Sequence, residues 1–480
     1  MKSLLFFTGR RNIIIDYNMK TMRSYTVLSL LAAVALLSSC LNGTPNGSSA
    51  KLVAKQPVSA PSTGSVEATN VPASETPSYP SKDRVYPFND HPTVNVYLET
   101  SGSMNGYVNG GTSKFQQVVK EYLSGINNAN FAGEVNYYYI NSQITKKGQD
   151  LGQYITRLTP HSFASAGNTG TTDIGALFKT ILSKTDNNII SIFISDCIIS
   201  PGKNTNTEAY LRGQMIDVRD AVVSYVNQYN DLACLVYQID SEFNGTYYDF
   251  QDAPHRNVKM ERPFYIWVFG HTCQIALLKL NYVPDRDFKV APIRNEWMIF
   301  NTPLKTFETD FANVKYGLLL PNTPGIGKYN RIDAKTLKAL QKPSPSDNYR
   351  FTFGADMATA EALMGREYIE ETDNYVHVVS GTSKQDFFGR IEPVYDSRSP
   401  YTEHFVVESE SPIPRGAFKL AFVPNVPKWA VYCTDTDDRS FNGSNDNKTY
   451  GLEYIFKGIV NGYNVGGNDN ILSEFNFEIR

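Results

Sequence analysis

Val94-Asn95-Val96-Tyr97-Leu98-Glu99-Thr100-Ser101-Gly102-Ser103-Met104 is a short apolar run that ends in one carboxylate and two serines at alternate positions. Ser113 follows as a helix cap, with apolar residues at Phe115, Val118, Val119, Tyr122, Leu123 and Ile126 on one 3.6-residue stripe. A strand entering a helix through such a loop is the unit of an open α/β sheet, and ligands of such sheets bind at the carboxyl ends of the strands. Closely spaced oxygen donors there suit a hard cation such as Mg2+ or Mn2+. Two later segments supply further oxygens. Gly170-Thr171-Thr172-Asp173 places a threonine just before a helical stripe at Ile174, Leu177, Phe178, Ile181 and Leu182, and Ile189–Asp196 is a second apolar strand ending in a carboxylate.

Working outward, Val135–Ile140 reads as the next strand, with a short antiparallel edge near Ile144. Leu211–Tyr229 reads as a longer helix, and Leu232–Ile239 and Phe264–Phe269 as strands. Asn244-Gly245-Thr246-Tyr247-Tyr248 suggests a hairpin decorating one end of the sheet. Strand–helix alternation at this spacing predicts an α/β fold, a doubly wound and mostly parallel sheet with helices on both faces.

The three oxygen-bearing segments, in this order and spacing, resemble the von Willebrand factor type A domain over roughly residues 86–282. The resemblance implies a metal-ion-dependent adhesion site in which Ser101, Ser103 and Thr172 ligate Mg2+ or Mn2+. Glu99 and Asp196 would hold metal-bound waters, and an acidic residue of a protein partner would complete the shell. One position departs from the family pattern. The first carboxylate is Glu99 where the family has aspartate, and its extra methylene moves the carboxylate by about 1.5 Å around an ion that demands near-ideal geometry.

The amino terminus reads as a targeting segment. Met19-Lys20-Thr21-Met22-Arg23 is basic, Val27–Leu37 is almost continuously apolar, and Leu37-Ser38-Ser39-Cys40 matches the lipobox of bacterial lipoproteins. The run is too short to span a bilayer of about 30 Å. The expectation is a signal peptide over 1–39, starting in practice at Met19 or Met22, and a lipidated Cys40. Residues 40–86 are rich in Ser, Pro, Thr, Asn, Gly and Ala and cannot bury a core; as a coil they span about 35–40 Å. This predicts a lipoprotein tethered in the cell envelope, at the outer membrane, on either face.

At 480 residues the chain is long for a single core. Residues 87–283 form the expected α/β domain. Residues 284–447, with short apolar runs such as Val376–Val379, Phe405–Val407 and Phe418–Phe422 separated by Pro, Gly, Asn and Asp, read as a β-rich domain, a sandwich being one option. Short helices are expected there at Ala334–Gln341 and Met357–Met364. Residues 448–480 carry one amphipathic helix, with Leu452, Ile455, Phe456, Ile459, Val460 and Tyr463 on a single stripe, which can pack on either domain.

A net charge of −3 argues against nucleic acid as a partner. Cys197, Cys234, Cys273 and Cys433 lack zinc or redox spacing, and His91, His161, His255, His271, His377 and His404 are scattered without ligand spacing. The acidic loop of Asp435, Asp437, Asp438 and Asp446 lacks the EF-hand pattern and reads as solvated. Gly458 and Gly462 have small-xxx-small spacing, but charged neighbours exclude a membrane helix. With no nucleophile elbow, phosphate loop or His-Glu-x-x-His motif, the expectation is a binding protein rather than an enzyme. Its predicted work is metal-dependent protein binding or adhesion. The alternative is a metal-independent scaffold or assembly lipoprotein with a degenerate site, and a hydrolase is the third class.

Overall fold

In the computed structural model, the described residues are Asn89, 91–167, Gly170, 173–282, 288–302, 314–320, 327–378, 389–394, 399–440, 447–464 and 469–480. The lipobox, Cys40, the tether, Thr172 and Asp446 lie outside them.

The opening stretch forms β1 (Thr93–Glu99) and a short 3-10 turn (Ser103–Tyr107), followed by α1 (Lys114–Asn128). Ser113 starts α1 with a capping box: its hydroxyl accepts from the Gln116 amide while the Gln116 side chain accepts from the Ser113 amide. The chain continues through β2 (Glu134–Ile140), β3 (Ile144–Gly148), α2 (Leu151–Thr156), α3 (Pro160–Ala164), α4 (Ile174–Leu182), β4 (Ile189–Ser195) and α5 (Thr207–Tyr229). Two long strands follow, β5 (Ala233–Tyr248) and β6 (Pro254–Gly270), then α6 (Thr272–Tyr282) and β7 (Ile293–Phe300).

These strands make a seven-stranded sheet in the order β3-β2-β1-β4-β6-β5-β7. The sheet is mixed. β1, β2, β4 and β5 run one way, but only the β1–β2 and β1–β4 pairings are parallel; β6 runs back between β4 and β5, and β3 and β7 are antiparallel edges. The expected parallel run therefore stops at β4, because β5 and β6 are joined by a tight turn and a hairpin can only pair antiparallel.

Helices cover both faces. On one, Phe178 of α4 packs edge-on against Phe193, Trp267 and Phe269 at ring distances of 5.4–5.8 Å. On the other, Tyr122 of α1 meets Tyr237 of β5. Phe193 is fully buried.

β7 lies inside the region expected to be β-rich yet pairs with β5 along its length, so the large sheet extends past the expected boundary at residue 283. Beyond it come β8 (Tyr316–Leu318), β9 (Lys328–Arg331), β10 (Thr336–Gln341), β11 (Tyr349–Ala355), α7 (Ala358–Met364), α8 (Arg366–Ile369), β12 (Tyr375–Val378), β13 (Gly389–Pro393), β14 (Glu403–Ser409) and β15 (Gly416–Phe422). They form a five-stranded sheet, β12-β15-β18-β10-β9, and a four-stranded sheet, β13-β14-β11-β8. The sheets meet through Phe351, Phe353, Tyr375, Phe405, Phe418, Phe475 and Phe477. The helix expected near Met357 is present, whereas the one expected at Ala334–Gln341 is strand β10, held by pairing with β9 and β18. Cross-strand pairing outweighs the modest helical preference of Lys-Ala-Leu.

The last segment returns to both layers. After α9 (Lys428–Tyr432) and the small pair β16 (Thr434–Asp435) and β17 (Thr449–Tyr450), α10 (Leu452–Tyr463) lies along α5. Phe456 of α10 packs on Trp267 and Trp297 at 5.2 and 5.1 Å, so this helix covers the α4 face of the large sheet. β18 (Ser473–Ile479) then enters the five-stranded sheet between β15 and β10. The chain thus leaves the large sheet after β7, returns to its face with α10, and ends in the β-rich layers with β18.

Candidate functional site

β1 and β4 end side by side because they are parallel neighbours in register, Leu98 opposite Ile194. Their geometry brings Glu99, Ser101, Ser103 and Asp196 to one end of the sheet, all buried. Thr172 lies outside the described residues; Asp173 beside it caps α4, accepting from the Ala176 amide at 2.9 Å.

Each side chain is fixed by a local device. The Ser195 hydroxyl donates to Glu99 Oε2 and accepts from the Cys197 amide at 2.8 Å. The Ser101 and Ser103 hydroxyls are 3.0 Å apart. The loop after β1 is tied to the end of β2, with the Thr100 amide donating to the Ile140 carbonyl at 3.0 Å and Asn141 Nδ2 to Thr100 Oγ1 at 3.0 Å. Asp196 Oδ1 accepts from the Ile198 amide at 3.2 Å, while Asp196 Oδ2 is buried with no hydrogen-bond partner. Burial pushes the Asp196 carboxyl up from its ordinary value; the Ser103 hydroxyl nearby, too poorly placed to satisfy Oδ2 with a hydrogen bond, the Ile198 amide and the charge of Arg262 pull it back only in part.

A hairpin overhangs this end of the sheet. From Asp240 on β5 and back to Pro263 on β6, the two strands pair only with each other. The turn is at residues 249–253, where the Asp249 amide donates to the Ala253 carbonyl. The hairpin expected around Asn244–Tyr248 is therefore present, with that stretch as its outgoing strand: β5 continues through it because His255, Val258 and Lys259 on β6 supply cross-strand partners. The hairpin sits on the 3-10 turn so closely that a Cβ on Gly106 would fall 2.3 Å from the Phe243 ring. Tyr107 Oη donates to the Pro263 carbonyl at 2.6 Å, and Asn109 Nδ2 to the Asn244 carbonyl at 2.9 Å. The start of α1 is fastened to it as well, the Phe115 amide donating to Ser241 Oγ at 2.9 Å and the Lys114 amide to Glu242 at 2.9 Å.

Arg262, on β6 near its exit from the overhang, brings a positive charge to the site that the sequence reading did not single out. It is 2% exposed, its guanidinium carbon lies 4.6 Å from the Tyr247 ring centroid, and Nη2 is 3.5 Å from Tyr247 Oη. Tyr247 Oη donates to Asp438 Oδ2, and Asp438 Oδ1 accepts from the Phe250 amide at 2.9 Å. Asp438 is therefore buried against the hairpin and Asp435 is buried too, while Asp437 pairs with Arg439 at the surface. The loop read as solvated is a docking segment in part, because the Asp438 carboxylate finds donors in the Tyr247 hydroxyl and the Phe250 amide of the β5–β6 hairpin. A charged residue before the otherwise apolar Pro263–Phe269 was the available sequence signal for Arg262.

The donor chemistry fits a hard cation: two neighbouring hydroxyls and a buried carboxylate oxygen that lacks a partner, with a second carboxylate close behind. Among the described residues there is no group of three or more His, Cys, Asp or Glu placed to hold a metal, so a cation here would rely on the serines. Among the described residues Cys197, Cys234, Cys273 and Cys433 form no disulfide; Cys273 is half-buried and the other three are buried. No helix among the described residues is long and apolar enough to cross a membrane. No family model matches the chain, and no match appears among curated proteins or solved structures.

Proposed function

We propose that this chain is a lipid-anchored protein of the bacterial cell envelope that binds a protein partner through a von Willebrand factor type A-like domain. Ser101, Ser103 and Asp196, with Thr172, would hold Mg2+ or Mn2+, and Glu99 would act from behind through Ser195. The ion would supply a Lewis-acidic point for an acidic side chain of the partner. The observation that carries this reading is the buried, partnerless Asp196 Oδ2 beside the Ser101–Ser103 hydroxyl pair; a buried carboxylate oxygen is costly to leave unsatisfied. The test is affinity capture of partners by the tethered protein from its own cells, with and without chelator. Chelator-sensitive capture, lost in Asp196→Ala, is the expected result; capture unchanged by both overturns it.

A second reading is favoured by the overhang. Ser101 and Ser103 are only 5% and 6% exposed, and a positive charge is already present in Arg262. These features suit a metal-independent scaffold, in which the residues at the end of β1 stay buried beneath the β5–β6 hairpin that the turn and α1 fasten onto the sheet. Chelator-insensitive capture, abolished when the hairpin is shortened, would select it.

A further inference from the structure

The geometry points to Arg262 as a built-in counter-cation that weakens the hold of the β1–β4 site on a metal ion. The inference rests on the metal-dependent reading above and adds the residue that sets its affinity.

Arg262 reaches the site from the hairpin. Tyr265 pairs with Ser195 across β6 and β4, and Arg262 lies three residues further along β6, on the side where Asp196 leaves β4. Its surroundings are low in dielectric: Tyr107, Tyr247 and Tyr265 are all buried around it. Its Nε is buried without a hydrogen-bond partner. The carboxylates that feel this buried guanidinium are Asp196 and Asp438, the latter anchored through Tyr247.

A divalent ion on Ser101, Ser103 and Asp196 would face the same guanidinium across an interior that screens poorly, and like charges repel there more strongly than in water. The repulsion lowers cation affinity without removing any ligand. A carboxylate arriving from a partner adds the opposite charge, so the site would retain its ion better in the complex than alone. Asp438 acts in the reverse sense, since it offsets Arg262.

The experiment is calorimetric titration of the full-length protein in detergent with Mn2+ alone. Arg262→Met should bind Mn2+ at least about tenfold more tightly than wild type, Arg262→Lys should resemble wild type, and Asp438→Asn should bind more weakly. Circular dichroism confirms folding. If Arg262→Met does not fold, Arg262→Met combined with Asp438→Asn removes both buried charges, and it should still bind more tightly than Asp438→Asn alone. Equal Mn2+ affinity in wild type and Arg262→Met overturns the role of Arg262 while leaving the metal site standing. No Mn2+ binding in wild type, Arg262→Met or Arg262→Met with Glu99→Asp overturns the metal reading and the role of Arg262 together.

Discussion

Glu99 is the residue on which the chemistry of the site turns. Its carboxylate takes the Ser195 hydroxyl, so the extra methylene relative to aspartate is accommodated by a neighbour on β4. Glu99→Asp should shorten that reach and, if the site holds Mg2+ or Mn2+, bind the ion at least as tightly as wild type. Ser103→Ala should remove the rise in thermal midpoint that Mn2+ confers through linkage and leave the metal-free midpoint nearly unchanged. A Ser103→Ala protein that keeps the full Mn2+ shift would remove the serines from the ligand set. Asp438 offers a pH test. Burial pushes its carboxyl up to about 6 from an ordinary value near 3.8. Between those values the folded state binds more protons than the unfolded state, so stability falls as pH rises from about 4 to about 6, by up to roughly 2–3 kcal/mol. Asp438→Asn should flatten that stretch of the profile, measured by denaturant unfolding at intervals from pH 4 to 8.

The strands and helices show where packing is strict. Phe193 lies fully buried in β4 with Phe178 edge-on at 5.8 Å, so Phe193→Ala should cost roughly 3–5 kcal/mol. Gln117, off the apolar stripe of α1, should accept alanine within about 0.5 kcal/mol; equal losses at the two positions in denaturant unfolding would contradict the sheet assignment. The contact of α10 with α5 is closer still. A Cβ on Gly458 would meet the Met215 carbonyl at 2.7 Å, and one on Gly462 would meet Val222 Cβ at 2.5 Å. The small-xxx-small pair serves the contact of α10 with α5, bringing two backbones together over Trp267 and Trp297. Gly462→Ala should therefore destabilise by about 1–3 kcal/mol in the same assay, although alanine favours helix.

For the protein as a whole, anchoring is the property to test first. Basic flank, apolar run and lipobox agree on Cys40, so Cys40→Ala should accumulate as uncleaved precursor and lose labelling by a fatty-acid analogue. Normal processing in that variant would remove the lipoprotein reading. The large sheet and the β-rich layers are linked by chain that passes from one to the other and back, through β7, α10 and β18.

The sequence by itself determined what short-range periodicity can carry. It placed β1, α1, β2, β3, α4, β4 and α5, the cap at Ser113, and the meeting of Glu99, Ser101, Ser103 and Asp196, because a strand ending in polar residues before a helix puts those residues at one end of a sheet. Only the tertiary structure decided which distant partners each apolar face would find. It ran β6 back between β4 and β5, took β7 into the large sheet, made Ala334–Gln341 mostly strand, and laid α10 across α5. It also brought Arg262 and Asp438 together at Tyr247, on the hairpin above the site, from segments far apart in the chain. Pairing and burial between remote segments outweigh local preference by several contacts at once, and no window of sequence contains both sides of such a contact.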